Sequence, residues 1–412
     1  MNPWRGLKNI PHNVWILAFA TLINRSGTMV LPFLALYMIK MLGFSEAEAG
    51  FVLSLYGLGG LLIAPVAGKL SDKLGALRLM RVSLFFSGLL LFAYSLITNY
   101  YLILGFTLMW SVISESFRPA NLSMISNEAA TGERKIAFAL NRLAVNLGMS
   151  IGPVVGGFLS TINFHLLFYV DGLTSILAAL YLFFSHFEIK HVENDPRELQ
   201  TQESSLDEEK IPEKYKGVFN DKKFLLFLIS LLPVTLVFFQ LFGAVPIYLV
   251  NQLGFKESFF GLLMAVNTVM IIFIEVPLNN ALSKWDDRKA ISLGALLCGI
   301  GFGGMAITGN VLFVVLTVII WTFGEMIFFP ATTSYVSSLS PENRRGEYMG
   351  YFQMTFSMSL MIGPWIGTEV LENFGHIILW SGAFVLCLIT VLVFLKRTIN
   401  LSRIRKMPNK TD

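Results

Sequence analysis

Twelve apolar stretches, each long enough to cross a bilayer as a helix, limit this chain's fold more than any other feature. A helix rises about 1.5 Å per residue, so the hydrocarbon layer takes about 20 mostly apolar residues to cross. Such segments lie near 14–39, 49–68, 79–98, 100–126, 136–159, 165–187, 223–250, 258–281, 289–309, 311–337, 347–371 and 376–396. Transmembrane strands need only about 10 residues and alternate in polarity; these runs do not. Of the 412 residues 54% are apolar and 14% charged, whereas a soluble domain carries about 25% charge. That balance argues against a soluble single domain, a disordered chain and a nucleic-acid binder. The segment MNPWRGLKNIPHN has no signal-cleavage pattern and precedes an apolar run too long for a signal core, so the first span is expected to be retained. The expected fold class is an all-α membrane protein of twelve transmembrane helices.

Basic residues set the orientation. With alternate connections assigned to one side, beginning with the N-terminus, 26 of the 31 Lys and Arg fall on that side. Lys40 and Lys256 fall on the other, and Arg25, Arg118 and Arg142 lie inside spans. The positive-inside rule makes the basic side cytoplasmic, so both termini are expected in the cytoplasm and the chain in the inner or plasma membrane. Cys298 and Cys387 both sit in apolar runs, which implies neither a disulfide framework nor a cysteine metal site. Residues 188–222 are charged and read as a solvated linker, the alternative being a regulatory or partner-binding loop.

The two halves repeat at an offset of 211 residues. Leu42-Gly43-Phe44, Glu46 and Gly50 match Leu253-Gly254-Phe255, Glu257 and Gly261; Trp110, Phe117, Pro119 and Ala120 match Trp321, Phe328, Pro330 and Ala331; Ile151-Gly152-Pro153 and Gly156 match Ile362-Gly363-Pro364 and Gly367. Gly, Pro and Trp in register are not chance coincidences of apolar sequence. Six spans per half preserve topology, so the repeat is parallel, of the kind found in transporters that rock two bundles about a central site. The expected domains are a six-helix bundle at 1–187, the linker at 188–222, a second bundle at 223–398 and a tail at 399–412, in a monomer.

After the second span the chain reads Gly68-Lys-Leu-Ser-Asp72-Lys73-Leu-Gly75-Ala-Leu-Arg78. This resembles the signature loop of the major facilitator superfamily, G-x-L-a-D-r-x-G-r-r, although Ala76 and Leu77 occupy its two basic positions and Arg78 follows one residue late. The resemblance implies that Asp72 latches the cytoplasmic side by sitting against a helix N-terminus; Lys73 is expected to pair with Glu128. The fifth span carries Gly148-x3-Gly152-Pro153-x2-Gly156-Gly157. It is similar to the fifth-span signature of the superfamily's twelve-span drug:proton antiporters, which is associated with a leak-tight bend. Glycines four apart also let any neighbouring helix approach closely. The first span, with Asn24-Arg25-Ser-Gly27 and Pro32, matches that family's first-span pattern in part, with Ala35 at the second proline. Thr107 stands where its fourth span has an arginine.

Charges inside spans are costly, about 2.5–3.5 kcal/mol or more at the centre, and are functional candidates for that reason. Arg25 and Glu115 each lie about 11 residues from the basic end of their spans, and Glu115 and Arg118 share a helix face by their i, i+3 spacing. Glu115 is therefore the leading candidate for the coupling proton, with Arg25 or Arg118 holding it ionised while paired, and Glu325 the second. A permanent structural ion pair is the alternative. Asp171 completes the proton-coupling set, although its position near the outer end of span six reads as a helix-start residue facing water. Arg142, Glu275 and Glu369 lie towards span ends and fit snorkelling or gate salt bridges. Asn24, Asn121, Asn146, Gln240 and Asn267, with Trp110, Trp321 and Phe239, are candidate walls of a largely apolar substrate cavity.

No phosphate loop, metal-ligand cluster or nucleophile elbow is present, so neither an enzyme nor a cofactor is expected. The expected function is proton-coupled export of drug-like or amphipathic molecules by alternating access. The expected partners are a small-molecule substrate, protons and the lipid bilayer, with no nucleic acid. The alternatives are a dedicated carrier for one metabolite, siderophore or lipid, and a non-transporting receptor or scaffold.

Overall fold

The computed structural model describes residues 10–128, 134–187, 218–282, 284–307, 309–341 and 345–405. The first half contains α1 (His12–Gly27), α2 (Val30–Leu42), α3 (Glu46–Leu74), α4 (Ala76–Tyr94), α5 (Tyr100–Glu115), α6 (Phe117–Glu128), α7 (Arg134–Ile162) and α8 (His165–Phe184). The second contains α9 (Lys222–Phe238), an irregular helical stretch over 239–252, α10 (Glu257–Ala281), α11 (Asp287–Gly304), α12 (Val311–Leu339) and α13 (Arg345–Arg405). Among the described residues every regular element is helical. Ten helices are long and apolar enough to cross a membrane. One of them runs 48 residues through Gly375, whose φ of 79° breaks α13 between the eleventh and twelfth expected spans. With α11, which carries Asp287, Arg288 and Lys289 in its first turn, the count is consistent with twelve.

The punctuation follows the repeat. Gly43 (φ 74°) and Gly254 (φ 72°) end equivalent segments. Asn99 caps α5 and Asn310 caps α12, each side chain accepting an amide N–H of the first turn. Ser45 and Glu48 form a capping box at the start of α3, satisfying two amides that a helix start would leave orphaned.

Spans one and seven are broken at equivalent places. Span one is two helices, interrupted at Thr28 and Met29. Span seven loses regular α geometry from Phe239 to Gly243, positions 28 and 32 shifted by the repeat offset. Large exposed side chains such as Phe183, Phe184 and Phe273 cover the flanks, as expected of a surface solvated by acyl chains.

The halves meet away from the basic end. There Gly50 of α3 lies against Thr368 of α13, and Gly157 of α7 against the backbone of Glu257–Gly261 in α10. Phe33 and Phe260 pack edge to face with ring centroids 5.3 Å apart, and Lys40 forms an ion pair with Glu257. One apolar cluster joins both halves at this far end and continues through the second half to Phe224 and Tyr348. A second, built on Val14, Leu17, Met80, Phe117 and Ile125, belongs to the first half alone. Between them the halves diverge and leave a cleft that opens towards the basic end.

Candidate functional site

Three adjoining recesses of about 450, 290 and 520 Å³ occupy the cleft, and Arg118 lines all of them. This is the size range of small-molecule sites. The first-half wall carries Arg25, Glu115, Arg118, Asn121, Asn141 and Arg142 among the apolar Phe117, Leu122, Val145 and Met149. The second-half wall is aromatic: Phe239, Phe329, Phe352 and Phe356. Arg118 reaches across to Gln353, whose side-chain oxygen, with the amide turned to match, accepts from Nη2 at 3.1 Å and Nη1 at 3.2 Å. Arg142 of α7 pairs with Glu275 of α10. The sequence left both residues open between snorkelling and a gate salt bridge; the structure joins them in an ion pair.

Glu115 ends α5 and lines both the wide cleft and a smaller internal cavity. Its Oε1 accepts from the Tyr56 hydroxyl at 2.9 Å. The expected pairing of Glu115 with Arg25 or Arg118 is not made: among the described residues the ion pairs within 4 Å are Lys40–Glu257 and Arg142–Glu275. Arg25 and Arg118 share cavity walls with Glu115, so they act on it through space.

A matching arrangement occupies the second half. Asn267 Nδ2 donates to Glu325 Oε2 at 2.7 Å and to Thr322 Oγ1 at 3.1 Å. Asn267 is the repeat equivalent of Tyr56, and Thr322 of Ser111. Ser111 in turn donates to the Tyr56 carbonyl. Each half therefore holds one acid on its fourth span, hydrogen-bonded to its second. Tyr56 is absent from the sequence-based candidates, although its alignment with Asn267 marks it.

Asp171 corrects the sequence reading. It lies within α8, 5% exposed, instead of facing water at a helix start. Its Oδ2 accepts from the backbone amides of Met29 and Val30, both at 3.1 Å. These are the first amides after the break in span one, so Asp171 caps α2 from a neighbouring helix. The fifth-span glycines clasp the same break. A methyl on Gly152 would sit 2.6 Å from the Thr28 carbonyl oxygen and one on Gly156 2.7 Å from Met29 Cβ, while Gly148 abuts Arg25. Pro153 and Gly157 face α10 across the halves.

Other expectations fare unevenly. Asn24 lines the internal cavity and donates to Ser175 at 3.2 Å. Trp110 also lines it, tied to Ser87 at 3.1 Å. Asn121 borders the cleft but donates to Thr21 and Asn141, and Asn146 is half-buried on α7. Trp321 lines none of the recesses described above: it is fully buried and packed on Phe302 and Phe238. Gln240 is likewise internal, donating to the carbonyls of Gly363 at 2.6 Å and Leu236 at 3.1 Å. Midplane position does not tell a core face from a cavity face, which is why both were misplaced. The expected Lys73–Glu128 pair does not form; Glu128 accepts from Asn13 at 2.8 Å and Lys73 is exposed. Gly75, with φ 85°, makes the turn between α3 and α4, and Arg78 is exposed. Gly68 falls within α3, while the side chain of Asp72 and residues 188–217 of the linker lie outside what is described.

Two related helical bundles around a cleft closed at one end are the architecture of a secondary transporter. The chain belongs to the Major Facilitator Superfamily, whose family model matches residues 14–324 and 241–401. It is 25% identical to an uncharacterized MFS-type transporter, YqjV, of Bacillus subtilis, over 91% of this chain and 89% of that one. A Na(+), Li(+), K(+)/H(+) antiporter of Planococcus maritimus is 24% identical over 83% and 85%. The class B tetracycline resistance protein of Escherichia coli is 24% identical over 88% of each. Among solved structures the nucleoside transporter NupG superposes with a TM-score of 0.76 at 15% identity, covering 94% of this chain and 99% of that one. The protein is thus a multi-pass membrane transporter and not an enzyme.

Proposed function

We propose that the protein exports drug-like or amphipathic small molecules in exchange for protons, by alternating access of the central cleft. The observation that carries this reading is Glu115. Among the described residues it has one hydrogen-bond donor and no ion pair, and it lines the cleft together with Arg25 and Arg118. A substrate seated against the phenylalanine wall would displace water around that acid and change its proton affinity, which is the linkage an exchanger needs. The likeness to a tetracycline resistance protein supports a drug-like substrate, and that to a Na(+), Li(+), K(+)/H(+) antiporter supports proton exchange. In this reading the basic side is cytoplasmic, the chain works as a monomer in the cell membrane, and the bundles are 1–187 and 223–398.

The test is flux in proteoliposomes holding purified protein, with an imposed pH gradient and a panel of lipophilic dyes. Proton-driven dye movement that Glu115→Gln abolishes is the expected result. Dye movement indifferent to the pH gradient would overturn the reading.

A further inference from the structure

The repeat supplies an internal comparison at its two broken helices. In span seven the break is fastened by an uncharged group: Gln240 donates from Nε2 to the carbonyls of Gly363 and Leu236. In span one it is fastened by a carboxylate, Asp171, accepting two backbone amides of α2. The two fastenings differ in chemistry. An amide holds its hydrogen bonds at any pH. A carboxylate holds two N–H donors at a helix N-terminus through charge, and that contact weakens by roughly half or more when the charge is lost.

Asp171 is also positioned to exchange a proton. It lines the internal cavity of about 40 Å³ together with Asn24, Arg25, Tyr56 and Glu115, which is wide enough to admit water. Glu115 forms part of that wall and part of the wall of the wide cleft. The titratable or charged groups facing the cavity are Arg25 from α1, Tyr56 from α3 and Glu115 from α5. The cavity-lining residues of α4 are Ser83, Leu84 and Ser87, and α7 meets the break with Gly148, Gly152 and Gly156.

We infer that Asp171 is a second proton-binding group, and that its charge holds the break in span one and with it the far-end-closed state. The inference rests on the proton-exchange reading above for its place in a transport cycle. Proton binding forms one O–H bond on the carboxyl and removes the charge that caps α2. The break then relaxes, α2 is freed, and the far-end contact of Lys40 with Glu257 loses its support. Protons therefore favour opening at the far end, and their release favours opening at the basic end. That sign suits an exporter driven by proton entry.

The closing experiment measures distance between spin labels on Leu96→Cys and Ile307→Cys. These are repeat-equivalent far-end positions, 79% and 81% exposed, on opposite halves; Cys298 and Cys387 are buried and stay unlabelled. In nanodiscs without substrate, acidification is expected to shift the population from a short to a longer distance. Asp171→Asn, which removes the charge but keeps a carbonyl acceptor for the amides, is expected to abolish that pH response and to favour the longer distance at every pH. Glu115→Gln is expected to retain it. A pH response in Asp171→Asn equal to that of the parent overturns the inference, as does its loss in Glu115→Gln alone. The readout needs no flux, so the two proposals fail separately. A lost response in Asp171→Asn without proton-driven dye movement sinks only the export reading. Proton-driven movement with an unaltered response sinks only the role of Asp171.

Discussion

Gly157→Ala should unlock the far end. Gly157 sits where α7 crosses α10, and an added methyl would lie 2.9 Å from the Glu257 carbonyl oxygen, 3.1 Å from Ser258 Cα and 3.2 Å from Gly261 Cα. Ordinary carbon contacts begin near 3.4 Å, so all three neighbours are crowded, and all three are backbone atoms that no rotamer change can move aside. Overpacking of this kind costs about 1–3 kcal/mol. The crowding exists only while the two halves touch, so the cost falls on the far-end-closed state alone. A two-state equilibrium displaced by that amount moves about 5- to 150-fold towards the far-end-open state. The Leu96/Ile307 label pair reads this directly as growth of the longer-distance population. Gly105→Ala serves as the control, since nothing lies within 4 Å of its added methyl. If Gly157→Ala left the distance distribution as it is in Gly105→Ala, close packing of α7 on α10 would not be what holds the far end shut.

Three further expectations follow from other contacts. Lys40→Gln and Glu257→Gln should each enlarge the far-end-open population, and the double exchange Lys40→Glu with Glu257→Lys should recover most of the loss; a half-exposed pair of this kind contributes about 1 kcal/mol or less, so the double-mutant comparison is the deciding measurement. Asn267→Leu removes the donor to Glu325 and should cost about 1–3 kcal/mol, seen as a lower thermal unfolding midpoint in detergent that the companion change Glu325→Leu partly restores. Gly75→Ala forces a side chain into φ 85° and should lower the same midpoint by more than Gly105→Ala does.

The large features of the fold are written in the sequence because they rest on physics that acts along the chain. Helix number follows from apolar run length, and the repeat from Gly, Pro and Trp spaced 211 apart. What was harder to read depends on rotation about helix axes. Trp321 and Gln240 lie at the right depth for a cavity yet turn into the core, because depth is a one-dimensional quantity and facing is not. Asp171 was misjudged because distance from a span end suggested water, when an irregular helix beside it had amides to offer. The break itself left a trace: Gly27 precedes it, and Pro32 sits in the first turn of α2, where a missing N–H costs nothing. Only the repeat marks Tyr56, through Asn267; the sequence offered Phe239 of the aromatic wall, but no local pattern gives Gln353, Phe329, Phe352 or Phe356.

The crack in span one makes α2 a lever. Its 13 residues span about 20 Å at 1.5 Å per residue, so a tilt of about 10° at the fulcrum would sweep the tip sideways by roughly 3 Å. That stroke would part Lys40 from its acidic partner while α1, the inner arm, stayed seated against its neighbours. A door of this construction need not swing the whole wall.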